Sequence, residues 1–111
     1  MQFSNHTGYG RMKGLRFDED HVRSLFDGLE MNGLLKQSRA LSGYMPNAEV
    51  VAAVRDGISR VKKINPDLIY LCDPVMGDMD KGMYVDPSVV PMFKSILPLS
   101  TITTPNQYEA Q

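Results

Sequence analysis

The chain has 111 residues, 42% of them hydrophobic and 23% charged, and its 12 Lys+Arg against 13 Asp+Glu leave a net charge of -1. This length predicts a single domain, and the near-neutral charge, without a long run of like charges, gives nucleic acid or an anionic membrane nothing to hold. No basic-then-apolar leader and no apolar run near the ~18 residues of a spanning helix occurs, so a cytoplasmic protein is expected.

The opening "MQFSN" predicts a short strand, and the glycine-punctuated "HTGYGRMKG" after it a loop or flap. In "FDEDHVRSLFDGLEMNG", Asp18 is a candidate N-cap, with Glu19 and Asp20 in the first turn. Val22, Leu25, Phe26 and Leu29 follow at helical spacing until Asn32-Gly33 stops the helix, and His21 should face solvent.

"SRALSGY" predicts a second strand ending at Ser42-Gly43. Asn47 then caps a second helix with Val51, Val54, Ile58 and Val61 on one face and Arg55, Lys62 and Lys63 largely on the wet side, closed by Asn65-Pro66. The nearly unbroken apolar run "DLIYLCD" has the pattern of a strand buried on both faces, in which Cys72, the single cysteine, is a packed residue. "PVMGDMDKGMYVDP" is expected to be a loop. A short helix should then start at Asp86-Pro87, although Pro91 removes one of its hydrogen bonds unless it begins later. "LSTITT" is the last strand, and Pro105-Asn106 open a helix of about one turn.

Strands alternating with helices predict an α/β fold with a mostly parallel sheet and flanking helices. Ligands of such sheets bind outside the carboxyl ends of the strands. Four sets of residues are expected along that rim: Asn5, His6 and Thr7; Ser42, Gly43 and Tyr44; Asp73 and Asp78; Thr104, Asn106 and Glu109. Three acids among amides and hydroxyls suit a hard cation held with substrate phosphates, which points to phosphoryl transfer. Singly, each has a plainer explanation: Asp73-Pro74 as a strand-to-turn signal, Asp78 as a loop acid, Asn106 as a helix cap. No His/Cys cluster has zinc-like spacing, and "GYGRMKG" matches neither nucleotide-binding glycine motif.

Three strings, "QFSNHTGYG", "LCDPVMGD" and "TPNQYEA", with "SGYMPNAE" and "GMYVDP" between them, closely resemble the pyridoxal kinases of the ribokinase-like superfamily across essentially the whole chain. The second and third strings also resemble related vitamin kinases, including hydroxymethylpyrimidine kinases; "FSNHTGY" favours pyridoxal. The resemblance implies that Thr7 and His6 touch pyridoxal and Tyr44 packs against its ring. It implies that Asp73 and Thr104 hold a monovalent cation, K⁺ or Na⁺, beside the nucleotide. Asp78, Asn106 and Glu109 would surround the ATP phosphates and Mg²⁺, with Tyr84 on a loop closing near them. It also implies B6 vitamers as substrates and a homodimer. Family members carry an additional opening strand and a G-T-G-D-type turn with the anion hole and the catalytic aspartate. Here the only Gly-Asp is Gly77-Asp78, of the other motif, so an incomplete ribokinase-like domain over 1–111, without its catalytic base, is expected. The alternative is a non-catalytic remnant associating with a full-length kinase.

Overall fold

The structure, a computed structural model, describes residues 2–4, 13–78, 82–83 and 87–110. A hairpin of β1 (Gln2–Ser4) and β2 (Gly14–Arg16) leads into α1 (Glu19–Met31), β3 (Arg39–Ser42), α2 (Ala48–Ile64) and β4 (Ile69–Cys72). A two-residue hairpin of β5 (Gly77–Asp78) and β6 (Gly82–Met83) precedes α3 (Val89–Ile96), a 3-10 turn at Leu97–Leu99 and β7 (Ile102–Thr103).

Local signals set the helix limits. Asp18 accepts the His21 N–H at 3.0 Å while the His21 ring accepts the Asp18 N–H at 3.1 Å. His21 is exposed as expected, yet it also fills the reciprocal capping position usually held by Glu or Gln. At the far end Gly33 takes φ 68, the left-handed conformation that lets Leu34 N–H close back on the Leu29 carbonyl at 2.8 Å. Asn47 caps α2 by accepting the Val50 N–H at 2.9 Å. The third helix begins at Val89 rather than at Asp86-Pro87, which puts Pro91 in the first turn, where its missing N–H has no helical partner to lose.

β3, β4 and β7 form a parallel sheet in the order β3-β4-β7. Tyr70 and Cys72 of the central strand are fully buried among Val50, Val51, Ile58, Val61, Phe93 and Ile96 of the helices. Leu41, Leu71 and Ile102 lie side by side in register on the opposite face. That face is open among the described residues: Leu41 is 74% and Ile102 48% exposed, and Ile69 is exposed beside them.

The first strand departs from expectation. It pairs antiparallel with β2, Phe3 opposite Leu15, in a sheet separate from β3-β4-β7. Nine residues separate the two strands, too few for a parallel crossover but enough for a reversal. The loop expected after β4 likewise contains the β5-β6 pair, Gly77 opposite Met83.

Helices α1 and α2 touch where Gly57 faces Phe26, so closely that a Cβ on Gly57 would run into the ring. Exposed pairs Arg23–Asp56 at 2.9 Å and Arg60–Asp27 at 2.8 Å flank this contact. Such pairs contribute little, so the close approach governs. Gly57→Val is expected to lower stability by about 1–3 kcal/mol through overpacking, despite valine's better helix propensity. Chemical denaturation checks this; an unchanged or higher midpoint would show that Phe26 swings aside freely. Arg55 is not simply on the wet side: it donates to Ser95 Oγ at 3.1 Å and joins α2 to α3.

Candidate functional site

Parallel pairing aligns the carboxyl ends of β3, β4 and β7. Ser42 lies opposite Cys72, and Cys72 opposite Thr103. The ladder continues one step beyond the strands: Asp73 N–H donates to the Ser42 carbonyl at 2.9 Å and Thr104 N–H to the Cys72 carbonyl at 3.3 Å. Gly43-Tyr44, Asp73 and Thr104 therefore follow one another along a single rim, as strand order predicts for these three strands.

The C-terminal turn closes over one end of that rim. Asn106 N–H donates to Glu109 Oε2 at 3.0 Å and Glu109 N–H to Asn106 Oδ1 at 2.9 Å. This is a capping-box arrangement, and Ala110 N–H completes one turn on the Asn106 carbonyl at 3.0 Å. The other Glu109 oxygen accepts the Met76 N–H at 2.9 Å, from the loop after β4. Glu109 thus ties the end of β4 to the end of β7. Beside it opens a cavity of about 380 Å³ bounded by Pro74, Met76, Phe93, Leu97, Pro105 and Glu109.

Asp73 is half-buried, and its carboxyl has no hydrogen-bond partner among the described residues. Burial first, and the Glu109 charge second, raise its pKa from the ordinary aspartate value. Two neighbouring carboxylates with a threonine at hand are oxygen donors that a hard cation would complete. Among the described residues no three His, Cys, Asp or Glu side chains cluster as a metal site, and the Asp78 side chain is not one of those described.

Known proteins place this rim in context. No protein-family model matches the chain. The human pyridoxal kinase is 42% identical over 115 aligned positions, covering 100% of this chain and 37% of the human protein. Pyridoxal kinase PdxY of Deinococcus radiodurans is 42% identical, covering 100% of this chain and 38% of that protein. The pyridoxal kinase of Leishmania donovani, solved with ADP and pyridoxamine, superposes with a TM-score of 0.87 at 31% identity, over 96% of this chain and 38% of that one. Over its whole length the chain is similar to part of the pyridoxal kinases. It spans a little over a third of the length of the curated relatives it matches.

The ribokinase-like fold class expected from the sequence is that of these solved pyridoxal kinases. Of the residues that the sequence singles out, Tyr44, Asp73, Thr104, Asn106 and Glu109 stand on the rim. Asn5, His6, Thr7 and Tyr84 lie outside the described residues, and so does the side chain of Asp78.

The sequence reading missed how the rim of this pyridoxal kinase homologue is held. Ser42 Oγ and Tyr70 Oη share a short hydrogen bond between the ends of β3 and β4. Burial, the main cause, pushes the Tyr70 phenol above its ordinary value, so it stays protonated. The available signal was a tyrosine inside an apolar strand, whose buried hydroxyl needs a partner. Ser42→Ala should cost about 1–3 kcal/mol by orphaning that hydroxyl. Tyr70→Phe should cost less, because the half-buried Ser42 then faces a smaller desolvation penalty. Paired denaturation curves decide this, and the reverse order would contradict it.

Proposed function

We propose that this chain carries parts of the vitamin and nucleotide sites of a pyridoxal kinase, whose complete form transfers the γ-phosphoryl group of ATP to the 5′-hydroxyl of pyridoxal. The observation that carries this reading is the convergence of Tyr44, Asp73, Thr104, Asn106 and Glu109 on one rim, in a chain 42% identical to a pyridoxal kinase over its whole length. Thr7, His6 and Tyr44 form the vitamin side. Asp73 and Thr104 would hold a monovalent cation, K⁺ or Na⁺. Asp78, Asn106 and Glu109 would face Mg²⁺ and the ATP phosphates, with Tyr84 on a loop near them. The donor set fits: half-buried Asp73, without a hydrogen-bond partner among the described residues, lies near a second carboxylate. Bound Mg²⁺ supplies charge neutralisation for the transferring phosphoryl group; the chain's own share is to position the reactants.

The vitamers pyridoxal, pyridoxine and pyridoxamine are the substrate class, and a homodimer in the cytoplasm is the expected setting. Among the described residues no helix is long and apolar enough to cross a membrane. The test is a chimera in which the chain is joined to the remaining segments of a related pyridoxal kinase. Pyridoxal 5′-phosphate formation dependent on ATP and Mg²⁺ is expected, and a folded chimera without it would overturn the reading.

A second reading is favoured by the open Leu41-Leu71-Ile102 face: a non-catalytic chain that associates with a full-length kinase. Co-purification with such a kinase, lost when this face is made polar, would support it.

A further inference from the structure

We infer that Glu109 is a positioning residue, a clasp that sets the loop after β4 against the turn after β7. The inference rests on the kinase reading for its functional consequence and on geometry for its substance. The carboxylate reaches in two directions: Oε2 accepts Asn106 N–H at 3.0 Å within its own turn, and Oε1 accepts Met76 N–H at 2.9 Å across 33 residues of sequence. Neither loop has a long element of its own to fix it. The first runs from Asp73 to the two-residue β5, and the second leaves the two-residue β7 for a single turn. Within the first loop a bond from Val75 N–H to the Asp73 carbonyl at 2.9 Å tightens a local bend. That bend places Asp73 and Met76 in one short unit, and the Met76–Glu109 bond anchors the unit to the far strand. Charge-assisted bonds to backbone N–H groups are about twice as strong as neutral ones, which suits a single side chain to this task.

The clasp also orders the two carboxylates of the rim. Holding Glu109 near Asp73 is unfavourable for like charges, and the two N–H groups donated to Glu109 offset that repulsion on one partner only. Asp73 is thereby left as the less satisfied group of the pair, facing the rim without a hydrogen-bond partner among the described residues. Nucleotide use by the complete protein would then depend on Glu109 through the placement of the loop that leads to Gly77–Asp78.

Reach and charge separate under substitution. Aspartate keeps the charge but is shorter by one methylene, about 1.5 Å, and cannot span to Met76. Glutamine keeps the reach and one acceptor oxygen, which serves one of the two N–H groups, as glutamine does in capping boxes. The clasp predicts the order wild type, Gln, then Asp level with Ala; a role resting on charge predicts Asp ahead of Gln.

The experiment is amide hydrogen exchange on the 111-residue chain in chelator-containing buffer, comparing wild type with Glu109→Gln, Glu109→Asp and Glu109→Ala. The Met76 amide is the reporter, and the Asp73 amide, bonded to the Ser42 carbonyl, is the reference within the same loop. Met76 protection should fall about tenfold or more in the Asp and Ala variants and by less in the Gln variant, with Asp73 unchanged. Equal Met76 exchange in wild type and Glu109→Ala, a parallel loss at Asp73, or Asp better than Gln would overturn the clasp. In the chimera, KM for Mg·ATP should follow the same order of substitution. The exchange experiment uses neither vitamin nor nucleotide, so its failure leaves the kinase reading standing, and an inactive chimera leaves the clasp standing.

Discussion

Purified to homogeneity, the 111-residue chain is expected to form no measurable pyridoxal 5′-phosphate from pyridoxal and Mg·ATP. Phosphoryl transfer relies on placing the reactants and stabilising charge, and loss of one preorganised oxyanion donor alone costs about 10²–10³ in rate. The rim supplies acids, amides and a threonine, but the sequence contains no Gly-Thr-Gly-Asp turn, the element to which the resemblance assigns the anion hole and the base. Its effect should therefore be far larger than that of any single substitution. A coupled assay for the phosphorylated vitamin, on protein freed of host kinase, checks this; product that requires both ATP and Mg²⁺ would show that the rim residues suffice.

The same chain is expected to associate and to bind an apolar dye such as ANS. Parallel sheets are normally covered on both faces. Here one face packs on α1, α2 and α3 while Leu41, Leu71, Ile69 and Ile102 form an open apolar surface among the described residues. β3 also has no strand beyond it in its sheet among those residues, which leaves a pairing edge. Dye fluorescence several-fold above that of a globular control and early elution from a sizing column are expected. Leu41→Thr with Ile102→Thr should reduce both, because exposed apolar area drives them. A monomer that melts cooperatively without binding dye would show instead that this face is closed in solution.

What could be read from sequence divides along physical lines. α1 and α2 are long enough for periodicity and caps to agree, and Asp18, Asn47 and Gly33 act where the sequence places them. The apolar run from Leu68 to Cys72 is long enough to mark the central strand, and Cys72 is buried within it as expected. Strands of two or three residues, such as β2, β5 and β6, contain too little alternation to register. Pairing is a non-local choice, so β1 looked like a member of the parallel sheet although its partner is β2. At the site, the Asn106/Glu109 capping box is visible as an N-x-x-E spacing, a local signal. The Glu109–Met76 and Ser42–Tyr70 bonds span 33 and 28 residues, and only the folded sheet brings those groups together. The apolar face of α1 was only half right: Val22 is buried and Phe26 packs on the core, but Leu25 remains exposed.

The central claim, that the chain carries separate vitamin and nucleotide sides, is tested most directly by two-substrate kinetics on the active chimera, varying pyridoxal and Mg·ATP independently. Thr7→Ala should act mainly on apparent affinity for pyridoxal. Asp78→Ala and Glu109→Ala should instead damage Mg·ATP use by about 10- to 100-fold, the usual cost of losing groups that orient a metal site. If Thr7→Ala altered only the Mg·ATP dependence, or Glu109→Ala left it untouched, the assignment of the two sides would be contradicted.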